Sequence, residues 1–353
     1  MKTARAFAVC ALLAWPGMAF AQLQLTPQTK PAAKPAAKPA AKPAAKPATP
    51  AKKAETKPAA TTAQPAANTP PANADTAYGA YQRGYFLTAF FEATKHAEAG
   101  DVKAMTLLGE LYAQGLGVGN NDQKAIEWYK LAAARGDRDA MFALAMFNIG
   151  GRGGLRDRNE AARLLAEAAK LGHAAAAYDL ALMYLEGTQF PQDIPRAAEL
   201  FRQAAQAGNP EAQYALATLY KEGKGVPKDE REATRLLGVA ALADNVDAQV
   251  EYGIALVNGT GVAKNEKAAF KYLSRAAFAG SAIAQNRLAR MYMSGIGVAA
   301  DPVTAIKWHT IAKASGLGDP QIDEYAARQP ENIRTAGQNA AKPWLQTIVN
   351  SRS

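Results

Sequence analysis

Six glycines recur every 36 residues along this chain, without a single insertion or deletion between them. A unit of this length is too short to bury its own apolar face, so each unit must stack on its neighbours. The spacing therefore predicts an elongated array of repeats. The glycines are Gly115, Gly151, Gly187, Gly223, Gly259 and Gly295.

Alanines recur in the same phase and indicate what kind of unit repeats. Alanine is the strongest helix former, and its small side chain lets two helices approach closely. The columns therefore predict helices packed tightly within and between units. Two of these columns are Ala104, Ala140, Ala176, Ala212, Ala248 and Ala284, and Ala125, Ala161, Ala197, Ala233, Ala269 and Ala305.

Each unit divides into two helical segments, which in the first unit are residues 101–114 and 122–135. The glycines of the loop between them supply the left-handed backbone that ends the first helix. Asn121 or Asp122 can cap the second helix, because their side chains accept hydrogen bonds from free amides.

A second column of glycines closes the second helix of each unit. Asp244 interrupts this column, and Asp is among the residues that best tolerate a left-handed backbone. We therefore expect Asp244 to adopt the conformation of the glycines that it replaces. The column is Gly100, Gly136, Gly172, Gly208, Gly280 and Gly316.

The first unit has the pattern A-x3-L-G-x2-Y-x2-G-x-G-V, followed after a polar turn by K-A-x2-W-Y-x2-A-A-x2-G. This pattern resembles the Sel1-like repeat, a relative of the tetratricopeptide repeat. Two other units depart from it locally: Asn148 replaces the tyrosine in one, and Gln189 replaces the second loop glycine in another. The resemblance implies an all-α, right-handed α/α superhelix of six repeats over residues 101–316. The first unit matches almost throughout, at Ala104, Leu108, Gly109, Tyr112, Gly115, Gly117, Val118, Lys124, Ala125, Trp128, Tyr129, Ala132, Ala133 and Gly136.

Both ends of the array are predicted to be capping segments. Residues 78–100 predict a shorter helical hairpin of tetratricopeptide character that turns at Gly84. Residues 317–353 predict two capping helices and a tail, the second helix covering 331–349 and broken near Pro343. Three aromatic residues of the first hairpin are expected to pack under the first full unit: Phe86, Phe90 and Phe91.

The segment before the repeats is predicted to direct export. Residues 1–21 combine a basic start, an apolar run and small residues before Gln22, which is typical of a cleavable signal peptide. Residues 22–77 are almost entirely Ala, Pro, Lys and Thr, so we expect a disordered linker. It resembles the linkers of envelope proteins that cross the periplasm, which favours a periplasmic location over secretion. Cys10 is the only cysteine, so we expect no disulfide in the mature chain.

The net charge of +10 comes mostly from outside the repeats. Residues 1–21 carry two positive charges, and the linker carries a net six, because eight lysines outnumber Glu55 and Asp75. Only two positive charges remain for the repeat domain. The basic balance therefore gives no reason to expect a nucleic-acid partner. Loose attraction of the linker to the cell wall or another anionic surface stays open.

No pattern in the chain predicts catalysis, a cofactor or a metal. The histidines His96, His173 and His309 are far apart, at different repeat positions, and pair with no Asp or Glu at metal-ligand spacing. His309 replaces a column of packing residues, which favours a structural role. The glycine loops follow helices and lack the lysine of a phosphate-binding loop. We therefore expect a non-enzymatic protein.

One column between the packing positions of the first helices varies in every repeat, and it is the predicted binding row. Its centre is apolar and its ends carry opposite charges, which suits a peptide or helix lying along a groove. The alternative is that its three apolar members only seal adjacent units. The row is Glu110, Met146, Leu182, Thr218, Ile254 and Arg290.

Two functions remain open from the sequence. The first is an exported scaffold whose concave groove binds a periplasmic or envelope protein or peptide, possible roles being envelope signalling or assembly. The second is a cell-wall-associated protein that binds peptidoglycan or anionic envelope polymers through its lysine-rich linker.

Overall fold

The structure is a computed structural model, and it describes residues 76–187 and 190–352. Sixteen α-helices and no strands are found in this part of the chain. The predicted signal peptide and residues 22–75 of the predicted linker lie outside it. The helices are α1 (Thr76–Gln82), α2 (Phe86–Glu98), α3 (Val102–Gln114), α4 (Asp122–Ala133), α5 (Arg138–Gly150), α6 (Arg158–Lys170), α7 (Ala174–Glu186), α8 (Ile194–Gln206), α9 (Pro210–Glu222), α10 (Glu230–Leu242), α11 (Val246–Asn258), α12 (Glu266–Phe278), α13 (Ala282–Ser294), α14 (Pro302–Ala314), α15 (Pro320–Ala327) and α16 (Glu331–Arg352).

The helices from α3 to α14 form six antiparallel hairpins, one for each 36-residue unit. In each hairpin a first helix packs on a second helix, and that second helix packs on the first helix of the next unit. This succession confirms the predicted all-α solenoid. The first helices are α3, α5, α7, α9, α11 and α13, and the second helices are α4, α6, α8, α10, α12 and α14.

A side chain that accepts a hydrogen bond from a free backbone amide starts every one of these twelve helices. Asn121 caps α4 by accepting a hydrogen bond from the amide of Lys124, so of the two predicted caps Asn121 is the one observed. His173 caps α7 through Nδ1, which accepts from Ala176 at 3.1 Å. A cap satisfies one of the amides that a helix start leaves without a partner. The polar residue before each apolar run therefore fixes where each helix begins.

The glycine column from Gly115 to Gly295 ends each first helix in the left-handed region, as predicted. The φ values lie between 67° at Gly187 and 77° at Gly259. Asp244 has φ of 63° and is the one non-glycine with positive φ in the described ranges. The expectation for Asp244 is confirmed.

The second glycine, present in five of the six loops, has a role that the sequence did not indicate. A Cβ at Gly261 would lie 2.2 Å from the carbonyl oxygen of Glu230, at the start of the preceding second helix. Gly297 makes the same close approach to Glu266, and Gly225 lies against Ile194. The loop backbone therefore packs directly on the preceding repeat, which leaves no room for a side chain.

Small residues also bring the two helices of one hairpin together. A Cβ at Gly109 on α3 would meet the ring of Tyr129 on α4 at 2.5 Å. The ring of Tyr129 is 1% exposed, and the alanine columns are almost completely buried. The solenoid core is thus built from alternating large and small side chains.

At the amino-terminal end, the hairpin α1–α2 turns at Gly84, which has φ of 80°. The helix begins at Thr76 and Ala77 is already buried, so helical structure starts slightly before residue 78. Phe90 packs edge-on against Tyr112 at 5.5 Å, as expected. The prediction for Phe91 is wrong, because this side chain is 76% exposed. It follows Phe90 by about 100° around the helix and so turns away from the first repeat.

At the carboxyl-terminal end, α16 runs without a break through Pro343, so the predicted interruption is wrong. Proline removes one helical hydrogen bond, and Pro343 lies on the exposed side, where water can satisfy the freed carbonyl. The next residue, Trp344, packs on Trp308 and Phe278 and holds the helix against α14 and α12.

Candidate functional site

The first helices of neighbouring repeats contact one another directly through their side chains. Lys103 on α3 pairs with Asp139 on α5 at 2.8 Å. Tyr214 on α9 donates a hydrogen bond to Glu251 on α11 at 3.2 Å. These contacts join α3 to α5 and α9 to α11. We call the exposed side of the six first helices the first-helix groove.

The predicted binding row lies along this groove, at the same position of six successive first helices. All six side chains are half-buried. Met146, Leu182 and Ile254 pack against the core on one side. The hydroxyl of Thr218 donates to the carbonyl of Tyr214 at 3.1 Å. The row is aligned, although its members do not form a common contact.

The two charged ends of the row are engaged within the protein. Glu110 accepts a hydrogen bond from the hydroxyl of Tyr129 at 2.9 Å. Burial, with the negative charge of Glu110 adding to it, raises the pKa of Tyr129 well above its usual range. Arg290 pairs with Asp319 at 2.6 Å, and both side chains are largely buried. These contacts tie the ends of the row to the neighbouring helices.

Asp319 is also the residue that joins the repeats to the carboxyl-terminal cap. It caps α15 by accepting from the amide of Gln321, and it accepts from Asn286 at 2.9 Å. Burial alone would raise the pKa of Asp319, but the hydrogen bond from Asn286 and the charge of Arg290 lower it overall. The carboxylate is thus held charged between α13 and α15.

A neighbouring column of the same groove contains charges that the repeat pattern did not single out. It lies one helical turn before the row, so both columns face the same side. We call it the charge column. Its members are Leu107, Ala143, Asp179, Ala215, Glu251 and Arg287.

Glu251 has partners within the groove. It accepts from Tyr214 and from the ammonium of Lys221, the latter at 2.8 Å. Both partners lie on the preceding first helix. Burial, followed by the charge of Glu251, raises the pKa of its neighbour Asp247. The charge of Glu251, in the fifth repeat, is therefore compensated within the groove.

Asp179 and Arg287 have no such partners. Within the described part of the chain, neither side chain forms a hydrogen bond or an ion pair, although both are partly buried. Burial raises the pKa of Asp179 to about 6. Burial, with the charge of Arg290 adding to it and that of Asp319 opposing it, lowers the pKa of Arg287. Comparing the six repeats at this column of the sequence would have shown both residues as charged exceptions.

The three histidines are placed apart, and each lies near one carboxylate. His96 is 3.9 Å from Glu92, and His173 is 3.7 Å from Asp139. Nε2 of buried His309 lies 2.9 Å from Asp323, so this residue packs between α14 and α15. No group of three or more His, Cys, Asp or Glu in residues 76–187 and 190–352 could hold a metal ion.

None of the described helices is both long enough and apolar enough to span a membrane.

Six consecutive matches to the family described as Sel1 repeat cover residues 102–137, 138–173, 174–209, 210–245, 246–281 and 282–317. The chain belongs to the Sel1 repeat family. The matched segments meet end to end and account for more than half of the sequence. Each contains one first helix and one second helix, so the Sel1 repeats coincide with the hairpins of the structure.

Solved structures of other Sel1 repeat proteins have a similar fold. A Sel1 repeat protein from Oxalobacter formigenes is 26% identical, with a TM-score of 0.58 over 68% of this chain and 96% of that one. The protective antigen c5321 of uropathogenic Escherichia coli, which displays this fold, is 26% identical, with a TM-score of 0.53 over 77% and 68% of the two chains. No curated protein matches the sequence. Sel1 repeat proteins generally mediate contacts between proteins.

Proposed function

We propose that this protein is an exported, non-enzymatic scaffold whose first-helix groove binds a protein or peptide of the periplasm or envelope. The observation that carries the proposal is the pattern of variation along the groove. The packing columns repeat almost without change, whereas the binding row differs in all six repeats. Positions that stacking does not constrain are where a partner can be selected.

The two apolar neighbours of Thr218 in the row support a peptide ligand. Leu182 and Ile254 are half-buried, so each keeps some apolar surface open to a partner. A segment lying along the groove would cover this surface and gain the free energy of burying it, about 25 cal/mol per Å². The periplasmic location is supported by the signal-peptide pattern of residues 1–21.

Photocrosslinking in cells tests this proposal. A photoreactive residue placed at position 182 or 218 is expected to give a discrete adduct with a partner. The same residue at Arg231, which is exposed on a second helix, is the matched control. Adducts at 231 with none at 182 or 218 would place the binding surface elsewhere.

The lysine-rich linker supports a second candidate, in which the protein attaches to peptidoglycan or anionic polymers of the envelope. Eight lysines lie within residues 22–77, and they account for most of the net charge. Deleting residues 22–75, which leaves α1 intact, separates the two functions. Loss of sedimentation with purified cell walls would support the second candidate, whereas partner capture by the repeats should survive the deletion.

A further inference from the structure

The charge column contains three charged residues, and their surroundings differ in one decisive way. Glu251 is satisfied by Tyr214 and Lys221 of the preceding repeat. For the other two charged residues, the 36-residue register gives the positions equivalent to Tyr214 and Lys221. For Asp179 they are Phe142 and Ile149, and for Arg287 they are Val250 and Val257.

These equivalent positions hold apolar side chains, so the preceding repeat offers neither charge the partners that Glu251 has. Phe142 and Ile149 are partly buried side chains packed on the core, and Val250 is 5% exposed. An ionised group that is partly removed from water without a partner is unfavourable. The protein therefore retains one desolvated acid and one desolvated base on a surface where the other repeats have either an uncharged side chain or a satisfied charge.

We infer that Asp179 and Arg287 are specificity positions of the groove, which bind a cationic side chain and a carboxylate of one extended peptide, respectively. This inference rests on the proposed function of the groove. A positive group placed over Asp179 would replace the water that burial has removed, and it would do so where the local dielectric makes the pair strong. Near Arg287 the pair Arg290–Asp319 is already closed. The remaining guanidinium therefore presents a net positive charge, which suits a carboxylate.

The spacing of the two residues fixes the spacing in the ligand. They occupy the same position of α7 and α13, three first helices apart. Taking the roughly 8–10 Å between packed helices as the step from one first helix to the next, the two positions are separated by about 24–30 Å. An extended chain rises about 3.3 Å per residue. The basic and acidic residues of the peptide should therefore be about eight positions apart.

The signs of the two charges favour a peptide over an anionic surface. Nucleic acids and lipid headgroups need a run of positive charges, and the groove presents an acid in the third repeat and a base in the sixth. Between them lie Leu182, Thr218 and Ile254 of the row, the small Ala215 of the charge column, and Glu251, whose charge is paired with Lys221. A chain with alternating apolar side chains fits such a surface.

Selection from a displayed library of random peptides, about 14 residues long, tests the inference on the full chain. The wild type should enrich peptides that carry a basic and an acidic residue about eight positions apart. Asp179→Asn should lose the basic preference and keep the acidic one, and Arg287→Gln should do the reverse. Glu211→Gln and Arg231→Gln, exposed residues on α9 and α10, are the matched controls and should select as the wild type does.

Fluorescence anisotropy with one labelled, enriched peptide then measures the coupling between its basic residue and Asp179. Replacing its basic residue by Gln should weaken binding to the wild type about tenfold, and binding to Asp179→Asn less than about twofold. Arg287→Lys, which keeps the charge, guards against misfolding of Arg287→Gln and should retain the acidic preference.

Two results overturn the inference, and they bear differently on the proposed function. If wild type and the double variant Asp179→Asn/Arg287→Gln enrich the same peptides, the charges do not select the ligand, although the groove still binds. If the wild type enriches no peptide, the inference fails, and adducts at position 182 or 218 in cells then decide separately whether the groove binds a folded partner.

Discussion

Gly261 and Gly208 both have a left-handed backbone, yet they differ in what surrounds them. A Cβ at Gly261 would collide with the carbonyl of Glu230, whereas a Cβ at Gly208 would meet nothing within 4 Å. The pair therefore separates the cost of conformation from the cost of contact between repeats.

We expect Gly261→Ala to destabilise the protein more than Gly208→Ala. Both substitutions place a side chain at positive φ, which costs about 1–2 kcal/mol. Gly261→Ala should add about 1–3 kcal/mol, because the loop must move away from the preceding repeat. Urea unfolding measures both variants. Equal losses of stability would show that the loop does not lock the two repeats together.

The partly buried carboxylate of Asp179 is expected to make stability depend on pH. Its pKa in the folded protein is raised from 3.8 to about 6, so the folded state retains the proton more strongly than the unfolded state. Stability from this group is present below about pH 4 and is lost as pH rises to about 6. Asp179→Asn should therefore stabilise the protein at pH 7.5, by on the order of 2 kcal/mol, with little effect at pH 4.

Asp139 provides the control with the opposite sign. Burial alone would raise its pKa, but the hydrogen bond and charge of Lys103 lower it overall. Asp139→Asn should destabilise the protein at neutral pH, and the loss should vanish as pH falls through the lowered pKa. Thermal unfolding of both variants across this range measures the two effects. A destabilised Asp179→Asn at pH 7.5 would contradict the role given to burial.

Among the elements, the carboxyl-terminal cap depends on one carboxylate. Asp319 caps α15, accepts from Asn286 and pairs with Arg290. Removing one partner from a buried pair leaves the other charge uncompensated and costs about 3–5 kcal/mol. Asp319→Ala should therefore increase amide hydrogen exchange in α15 and in the part of α16 that packs on α14.

Glu324→Ala is the matched control for this prediction. Glu324 lies on the same short helix, and its pair with Arg328 is exposed on both sides. Exposed pairs contribute little, so exchange in α15 and α16 should stay near that of the wild type. Similar exchange in both variants would mean that Asp319 does not anchor the cap.

The elements also show how much of the fold could be predicted from the sequence. Helix starts and ends were predictable because they depend on local chemistry, such as the cap at Asn121 and the left-handed turn at Asp244. The continuity of α16 through Pro343 was not, because it depends on the packing of Trp344 against other helices. The binding row stays a prediction, made from a break in periodicity. Asp179 was not predicted, because its lack of a partner becomes apparent only beside Glu251, whose partner positions are occupied by Phe142 and Ile149 in the register of Asp179.

At the scale of the whole molecule, the exact register allows a repeat to be removed without changing the others. Excision of residues 210–245 joins two complete units, so the shortened protein should fold, with a denaturant m-value reduced in proportion to the buried surface lost. It would also bring Asp179 and Arg287 one repeat closer. The preferred spacing in selected peptides should fall from about eight residues to about five or six.

Excision of residues 102–137 is the control for this experiment. This unit lies outside the span from α7 to α13, so its removal shortens the array by the same length and leaves the two charges where they were. The preferred spacing should stay at about eight residues. If the preferred spacing falls in both deletions, or in neither, then the distance between Asp179 and Arg287 does not set the spacing in the ligand.

The cluster of aromatic rings at the carboxyl-terminal end also has a spectroscopic consequence. Three of the four tryptophans lie in the described part of the chain, and two of them, Trp308 and Trp344, have ring centroids 5.3 Å apart. Trp128 stands alone near the other end, on α4. Coupled transitions of the two indoles should give the cap its own near-ultraviolet circular dichroism signal. Trp128 is followed instead through its fluorescence emission. The two ends of the array can therefore be watched separately, with no added dye.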